Sequence, residues 1–429
     1  MEIINILTNN DFTLSNNEKK LIIRHDEYLI TVDNKIKNNN FNFKEHVKLL
    51  CVIGSLCYIH NKYNKMIYYY KMAINKSNTN AMDKLGYYYY NVEKDHVKSI
   101  KYYNMAINKG HVGAMNKLGR YYDDVKADYP KAIKYYMMAI DKGNANAMNN
   151  LGYYYYDIKK DYIKAIKYYM MAIDKGNTIA MTNLGRYYYH IEKDHIKAIK
   201  YYMMAIDKGN ANAMNNLGYY YDIIKKDYIK AIKYYMMAID KGNSDAMHNL
   251  GHYYDDIEED YVNAIKYYMM AINKGNSDAM NNLGYYYDII KKDYIKAIKY
   301  YMMAIDKGNS DAMHNLGYYY DDIEEDYVNA IKYYMMAINN GNLKSINNLE
   351  ILFINNIDVY INYILSNNYQ PTDDKLTFIK NHLIKDTLEC CICYENFNYY
   401  IKTDCNHNYC CKCFLQLTSC AICRSAIKN

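Results

Sequence analysis

Tryptophan is absent from the 429-residue sequence, proline occurs only 2 times, and the formal net charge is only +6. Because lysines are interspersed with acidic residues, this small charge gives no strong attraction to nucleic acid or anionic lipid. The sequence also lacks an uninterrupted apolar run of about 18 residues and a basic start followed by an apolar segment. We therefore predict an intracellular, cytoplasmic protein that is neither secreted nor inserted in a membrane.

Cysteine is almost missing from the first 389 residues and concentrated at the end. Nine of the 11 cysteines lie between Cys390 and Cys423. In a chain without a secretion signal, such clustering favours metal ligation over disulfide bonds. Cys51 and Cys57, far from this cluster, are interpreted as free thiols, and so are Cys391 and Cys411 within it.

An internal period of 33 residues occupies most of the chain. The dipeptide Ala-Met returns eight times without insertion or deletion, beginning at Ala81, Ala114, Ala147, Ala180, Ala213, Ala246, Ala279 and Ala312. Within each period two apolar stripes have helical spacing, so the period predicts a pair of helices. Asp161 suits the N-cap of the second helix, which Lys175-Gly176-Asn177 closes, with Gly176 in the left-handed position after its end. The small residues Gly152, Ala165 and Ala172 would let the two helices approach closely. Neither helix can bury its apolar stripe alone, so the pairs are predicted to stack into an all-α solenoid.

A period of 33 residues also occurs in ankyrin repeats, but their Thr-Pro-Leu-His signature is absent. The periods instead resemble Sel-one-like repeats, a subclass of the tetratricopeptide superfamily. The resemblance rests on a set of residues repeated eight times, in one period Leu151, Gly152, Tyr155, Ala165, Tyr168, Ala172 and Gly176. The family usually has a slightly longer repeat with a glycine between its helices, whereas this chain has sequences such as Asp-Ile-Lys-Lys-Asp there. The resemblance implies a helical array that binds other proteins.

The rest of the chain divides around this array. The predicted segments are 1–47 of unknown role, 48–80 as a degenerate first repeat, 81–344 as eight repeats, 345–370 as a capping repeat, 371–389 as a linker, and 390–429 as a zinc module. Atypical terminal repeats are expected, because the ends of a solenoid need a polar outer face.

Eight residues near the carboxyl end have the spacing of metal ligands. They are Cys390, Cys393, Cys405, His407, Cys410, Cys413, Cys420 and Cys423. A C-x-x-C turn brings two thiolates to one metal, so the set predicts two tetrahedral zinc ions. So short a segment has little room for a hydrophobic core, and each structural zinc would supply on the order of 10 kcal/mol to folding.

The order of three cysteines, one histidine and four cysteines resembles the RING finger over residues 388–426. A PHD finger would have its histidine where Cys410 stands. The RING resemblance implies interleaved ligands: Cys390, Cys393, Cys410 and Cys413 for the first zinc, and Cys405, His407, Cys420 and Cys423 for the second. RING ligases form no thioester on their own cysteines and instead hold a charged ubiquitin-conjugating enzyme in a reactive orientation.

The resemblance also implies partner-binding residues. The groove for the conjugating enzyme would use Ile392 and one of Phe414, Leu415 and Leu417, and Arg424 would be the linchpin that hydrogen-bonds ubiquitin and its carrier. Simple packing against the zinc loops is the alternative for Ile392, and a solvated surface charge is the alternative for Arg424. Many RING ligases have a proline where this chain has Ala421.

The sequence thus favours a RING-type ubiquitin ligase whose solenoid holds a protein substrate on its concave face. A non-enzymatic scaffold is the main alternative, and nucleic-acid binding through the zinc module is a weaker one. The repeats and the bias toward Asn, Lys, Ile and Tyr are similar to repeat proteins of giant amoeba-infecting viruses, which would place the chain in the host cytoplasm. We interpret the tyrosine runs mainly as packing, and His248 and His252 as a solvated pair.

Overall fold

A computed structural model describes residues 43–356 together with 359, 363, 383–389, 396–402 and 408–409, the last three segments as backbone. The predicted segment 1–47 lies outside the described residues up to position 42. The chain forms two compact units, residues 1–213 and 214–429, and each is described by itself below.

Helices in pairs make up the described part of the first unit. In chain order they are α1 (Phe43–Ile59), α2 (Tyr63–Asn75), α3 (Thr79–Asn91), α4 (His96–Asn108), α5 (Val112–Arg120), α6 (Tyr129–Ile140), α7 (Ala145–Asp157), α8 (Tyr162–Asp174), α9 (Thr178–His190) and α10 (His195–Ile206). In each pair the odd-numbered helix is called the first helix and the even-numbered one the second. The predicted repeat of two helices is confirmed.

The same alternation continues through the described part of the second unit. The helices are α11 (Ala211–Tyr219), α12 (Tyr228–Asp240), α13 (Ser244–Asp256), α14 (Tyr261–Ile272), α15 (Ser277–Tyr285), α16 (Tyr294–Ile305), α17 (Ser310–Asp322), α18 (Tyr327–Asn339) and α19 (Lys344–Asn355). After α5, α11 and α15 the first helix widens into π-helical turns, Tyr121–Val125, Tyr220–Lys225 and Tyr286–Ile290.

Side-chain caps and left-handed residues fix the ends of the helices. Asp161 accepts a hydrogen bond from the Lys164 amide at 3.1 Å, as predicted for an N-cap. Gly176 has φ +81°, the left-handed conformation predicted for it. Between the two helices, where the family usually has glycine, Lys160 adopts φ +52°. A residue with a side chain therefore holds a left-handed position in this turn.

The first helix of each repeat approaches the second through a glycine beneath a tyrosine ring. A Cβ atom on Gly152 would lie 2.8 Å from Cδ1 of Tyr169, and the same pairing returns in every repeat. Tyr169 is 1% exposed, and Ala165 beside it is equally buried. The predicted close approach of the two helices is confirmed, and the core of each repeat is a tyrosine ring on a bare backbone.

We predict that Gly251→Ala destabilises the second unit by about 1–3 kcal/mol through overpacking. The new Cβ would meet Tyr268 Cδ1 at 2.7 Å and the Ala264 carbonyl oxygen at 3.3 Å. Urea unfolding followed by circular dichroism measures the effect. The exposed Asp256→Ala on the same helix is the control and should change the free energy of unfolding by less than about 0.5 kcal/mol. Equal effects of the two substitutions would contradict this packing.

Both terminal pairs differ from the repeats between them. At the amino end α1 and α2 enclose Cys51 and Cys57, and burial raises the pKa of the Cys51 thiol to about 11. At the other end α19 buries Leu349, and Glu350 stands where the repeats have glycine. Helix α1 begins at Phe43, before the predicted first repeat of residues 48–80, and α19 begins at Lys344, directly before the predicted capping repeat of residues 345–370.

Three short strands form an antiparallel sheet near the carboxyl end. They are β1 (Leu383–Glu389), β2 (Asn396–Lys402) and β3 (Asn408–Tyr409), paired in that order. The β1–β2 register joins Leu383 to Ile401 and Glu389 to Asn396, with an irregularity between Lys385 and Leu388. Strand β1 falls inside residues 371–389, a segment for which the sequence analysis predicted no strand.

Candidate protein-interaction face

One exposed residue of the first helix in each 33-residue repeat, directly after a buried Leu-Gly pair, belongs to a row with the period of the repeat. In the first unit the row alternates between tyrosine and arginine, at Tyr87, Arg120, Tyr153 and Arg186. In the second unit it consists of Tyr219, His252, Tyr285 and Tyr318. The exposed fractions of its tyrosines lie between 42% and 50%. We call the surface around this row the first-helix face.

Asparagine side chains connect neighbouring first helices beneath this face. Asn150 donates from Nδ2 to Asn116 Oδ1 at 3.0 Å in the first unit. In the second unit Asn249 donates to Asn215 Oδ1 at 3.0 Å, and Asn315 to Asn281 Oδ1 at 3.0 Å. Each of these bonds joins residues 34 apart, and in the second unit the same bond returns at every other junction. The face is therefore held in fixed register within each unit.

The asparagine that precedes most of the first helices has two roles. Asn177 Oδ1 accepts a hydrogen bond from the Ala180 amide at 2.8 Å and caps the helix. Its Nδ2 donates to Asn146 Oδ1 of the preceding repeat, also at 2.8 Å. In the second unit Asn309 does the same with Ala312 and Asp278. One side chain thus starts a helix and attaches it to its neighbour.

The charge of the first-helix face differs between the two units. In the first unit Lys117 Nζ lies 2.6 Å from Asp83 Oδ2, and Arg120 pairs with Asp124 at 3.2 Å. In the second unit the helices α11, α13, α15 and α17 contain no lysine or arginine and several aspartates. The face of the second unit is therefore acidic between its tyrosines.

A half-buried carboxylate below the row meets the core tyrosine in several repeats. Tyr301 donates its hydroxyl hydrogen to Asp288 Oδ2 at 3.2 Å, and Tyr268 donates to Asp255 Oδ2 at 3.0 Å. Burial raises the pKa of the Asp288 carboxyl, and the Tyr301 hydroxyl opposes the shift. In the repeats with Tyr156 and Tyr189 at this position the carboxylate is absent.

The tyrosine runs divide between the core and the surface, as the sequence analysis expected. Tyr154 is 2% exposed, while Tyr153 beside it is 45% exposed. Tyr155 stacks on Tyr168 of the second helix with a centroid distance of 5.6 Å. Lys164 lies over the Tyr155 ring at 5.1 Å. Most of each run is therefore packing, and a tyrosine reaches the first-helix face only where the run begins at the row position, as at Tyr153.

His248 and His252 lie on the second unit's first-helix face with ring centroids 6.4 Å apart. His248 Nε2 is 3.1 Å from Asn282 Nδ2, and burial lowers the pKa of its imidazole. Burial thus places His248 in the junction, whereas the sequence analysis interpreted the pair as solvated. In the part of the chain that the structure describes, no group of three or more His, Cys, Asp or Glu side chains is arranged to hold a metal ion.

The predicted zinc ligands and partner-binding residues lie outside the described residues. They are Cys390, Cys393, Cys405, His407, Cys410, Cys413, Cys420 and Cys423, with Ile392, Phe414, Leu415, Leu417 and Arg424. The described strands lie between some of these predicted ligands in the sequence. The first ligand pair falls between β1 and β2, and the next two ligands between β2 and β3.

The Sel1 repeat profile matches eight consecutive segments that follow the helix pairs. They are residues 79–111, 112–144, 145–177, 178–210, 211–243, 244–276, 277–309 and 310–342. The chain belongs to the Sel1 repeat family. Sel1 repeat proteins bind protein partners, so the solenoid is a protein-interaction scaffold. Among the described helices, none is both long enough and apolar enough to cross a membrane.

Two solved structures that are similar to these repeats come from bacteria. A protective antigen of uropathogenic Escherichia coli with an SLR fold is 22% identical, with 81% of this chain and 77% of that chain covered and a TM-score of 0.41. A Sel1 repeat protein from Oxalobacter formigenes is 28% identical over 52% of this chain and 98% of that one, with a TM-score of 0.43. A search of the curated proteins found no match.

Proposed function

We propose that this Sel1 repeat protein is a RING-type ubiquitin-protein ligase. The solenoid holds a protein substrate, and residues 390–429 bind two zinc ions and position a ubiquitin-conjugating enzyme. The observation that carries the proposal is the complete set of eight ligands in RING order, from Cys390 to Cys423, on the same chain as a protein-interaction scaffold. Thiolate ligands need a reducing compartment, so the cytoplasm is part of the proposal.

The strand register supports a zinc module in this segment. Glu389 pairs with Asn396, so the residues between them, which include Cys390 and Cys393, connect two antiparallel strands. A short connection of this kind suits a C-x-x-C turn that offers two thiolates to one metal. Cys405 and His407 stand in the next connection, between β2 and β3.

The proposed chemistry is transfer by positioning. The ε-amine of a substrate lysine attacks the thioester carbonyl of ubiquitin on the conjugating enzyme, the new isopeptide bond forms, and the carrier's cysteine leaves as a thiol. No residue of this chain forms a covalent intermediate with ubiquitin during the transfer. Ile392 and one of Phe414, Leu415 and Leu417 would contact the conjugating enzyme, and Arg424 would hold ubiquitin in place by charge-assisted hydrogen bonds.

Substrate recruitment is assigned to the first-helix face. Its exposed tyrosines offer apolar area and ring faces, which are typical of protein-binding surfaces. In the second unit the aspartates and rings together favour a partner rich in lysine and arginine, because carboxylates pair with these cations and aromatic faces attract them. The resemblance to repeat proteins of giant viruses makes a host protein the candidate target.

We expect the zinc-loaded full chain to build ubiquitin chains on itself with at least one member of a panel of conjugating enzymes. Cys393→Ala removes a zinc ligand and should abolish chain formation. Arg424→Ala keeps both zinc ions and should slow it at least about tenfold, a loss of about 1.4 kcal/mol of transition-state stabilisation. Arg120→Ala, an arginine of the first unit, is the matched control and should retain full chain formation.

Two results would redirect the proposal. If the folded, zinc-bound chain forms no ubiquitin chains with any conjugating enzyme, the non-enzymatic scaffold remains as the function. Equal activity of wild type and Arg424→Ala would remove the linchpin role while keeping the ligase. Nucleic-acid binding would need salt-sensitive retention of DNA or RNA by the same protein.

A further inference from the structure

The end of each repeat at which the first helix turns into the second has aliphatic side chains that no core uses. In the second unit the second residue of each second helix is highly exposed: Ile229 86%, Val262 80%, Ile295 85% and Val328 79%. A second row flanks the same turns, with Ile224 44%, Ile257 43%, Ile290 46% and Ile323 42% exposed. We call these eight residues and the loops between them the turn edge.

The loops of the turn edge alternate in charge from one repeat to the next. Along the chain they are Lys225-Lys226, Glu258-Glu259, Lys291-Lys292 and Glu324-Glu325. All eight side chains are exposed. The order of charge is therefore basic, acidic, basic, acidic, with one aliphatic pair beside each loop.

The alternation is not used to hold the repeats together. Within residues 214–342 the ion pairs join Lys230 to Asp227 and Lys296 to Asp293, each at the start of one helix, and none joins two neighbouring loops. The opposite loop charges therefore do not stabilise the stacking through ion pairs. The charges remain available to a partner.

The loops also hold their charges in defined positions. The Tyr253 hydroxyl donates to Glu258, and the Tyr319 hydroxyl donates to Glu324 in the same way. Lys291 Nζ lies 5.8 Å from the centroid of the Tyr286 ring. A partner that meets charges already held in place loses less side-chain entropy on binding.

A second copy of this chain fits the turn edge. When a twofold axis is perpendicular to this edge, each edge meets its partner in the opposite chain direction. The order basic, acidic, basic, acidic read backwards is acidic, basic, acidic, basic. Lys225-Lys226 would then face Glu324-Glu325 of the second copy, and Glu258-Glu259 would face its Lys291-Lys292. A parallel arrangement would oppose like charges at every loop.

We propose that the chain forms an antiparallel homodimer through the turn edge of residues 223–328. The twofold axis passes between the second and third loops, and the aliphatic rows meet along the centre, with Ile229 opposite Val328 of the second copy and Val262 opposite its Ile295. The first unit is no alternative, because its loops, Glu93-Lys94, Lys159-Lys160 and Glu192-Lys193 among them, do not alternate. The proposal is independent of zinc binding and of ligase activity.

Charge-reversal variants of the full chain test the pairing, with sedimentation equilibrium as the measurement and 50.8 kDa as the monomer mass. An all-acidic variant changes the four lysines to glutamate: Lys225→Glu, Lys226→Glu, Lys291→Glu and Lys292→Glu. An all-basic variant changes the four glutamates to lysine: Glu258→Lys, Glu259→Lys, Glu324→Lys and Glu325→Lys. Both sets lie on exposed loops, and thermal unfolding by circular dichroism verifies that the variants fold.

We expect wild type to dimerise, and each variant alone to dissociate with a dissociation constant raised at least about tenfold. Mixing the two variants in equal amounts should restore a dimer, and so should a single chain with all eight changes, whose order is again self-complementary. In the otherwise wild-type chain, Ile295→Asp should weaken dimerisation. Ile163→Asp, at the same position of the first unit and 83% exposed, should not weaken it. A monomeric wild type, or an all-acidic variant that dimerises as tightly as wild type, would overturn the proposal.

Discussion

Removing zinc with a strong chelator is expected to unfold residues 390–423 and to leave the helical repeats folded. Each structural zinc contributes on the order of 10 kcal/mol to folding, which far exceeds what so short a segment gains from a hydrophobic core. Two metal equivalents should leave the protein, measured by a zinc indicator, while far-UV circular dichroism keeps its helical signal. The repeats do not depend on the metal, because their cores are complete without it.

Cys393→Ser separates the two parts of this expectation. It should reduce bound zinc and expose residues 390–423 to limited proteolysis, with the cleavage products ending close to the last repeat. Cys51→Ser, a buried cysteine of the first unit, is the control and should retain both zinc ions. A chain that binds no zinc before chelation, or one whose helical signal collapses with the metal, would contradict the assignment of an independent zinc module.

Tyr301→Ala is expected to have the largest effect among substitutions in the repeats, about 3–5 kcal/mol of lost stability. The side chain is 0% exposed and covers Gly284, so its removal leaves a cavity between the two helices. It also removes the hydroxyl that donates a hydrogen bond to Asp288. Urea unfolding followed by circular dichroism measures the loss. Tyr285→Ala, at a position 50% exposed, is the matched control and should cost less than about 1 kcal/mol.

Tyr301→Phe separates packing from hydrogen bonding and makes the effect depend on pH. The ring over Gly284 remains, and the lost hydrogen bond should cost about 1 kcal/mol. Burial raises the pKa of Asp288 in the folded chain, so its charged form opposes folding as the pH rises through that pKa. Since the hydroxyl offsets this cost, Tyr301→Phe should destabilise more at neutral pH than in acid. If Tyr301→Phe lowers the free energy of unfolding equally at neutral and at acidic pH, the role of the carboxylate is contradicted.

The repeat architecture could be predicted because its signals are local and recur eight times. The apolar stripes, the left-handed Gly176 and the capping Asp161 each depend on residues within one or two helical turns. The close approach at Gly152 also followed, since a glycine at a fixed place in a helix indicates a packed neighbour.

The contacts between repeats could not be predicted in the same way. Asn177 was assigned only to the end of one helix, although it caps the next helix and reaches Asn146, which is 31 residues away. Identifying that partner needs the stacking geometry, which one period of sequence does not contain. The strands β1 to β3 were missed because they are short and lack a clear alternation of apolar and polar residues. The signal that could have revealed the cap was an asparagine three residues before seven of the eight Ala-Met pairs, with His111 in the remaining one.

The uniform junction has a consequence for how this gene can change in length. Residues 244–276 and 310–342 differ only at His252 and Lys274, which are Tyr318 and Asn340 in the later copy. Because junction bonds join residues 31 or 34 apart, a recombination event that inserts or deletes whole repeats recreates the same bonds at the new boundary. Copy number can therefore drift without loss of folding. The alternating loops add one condition: self-complementarity survives only when the number of alternating repeats stays even.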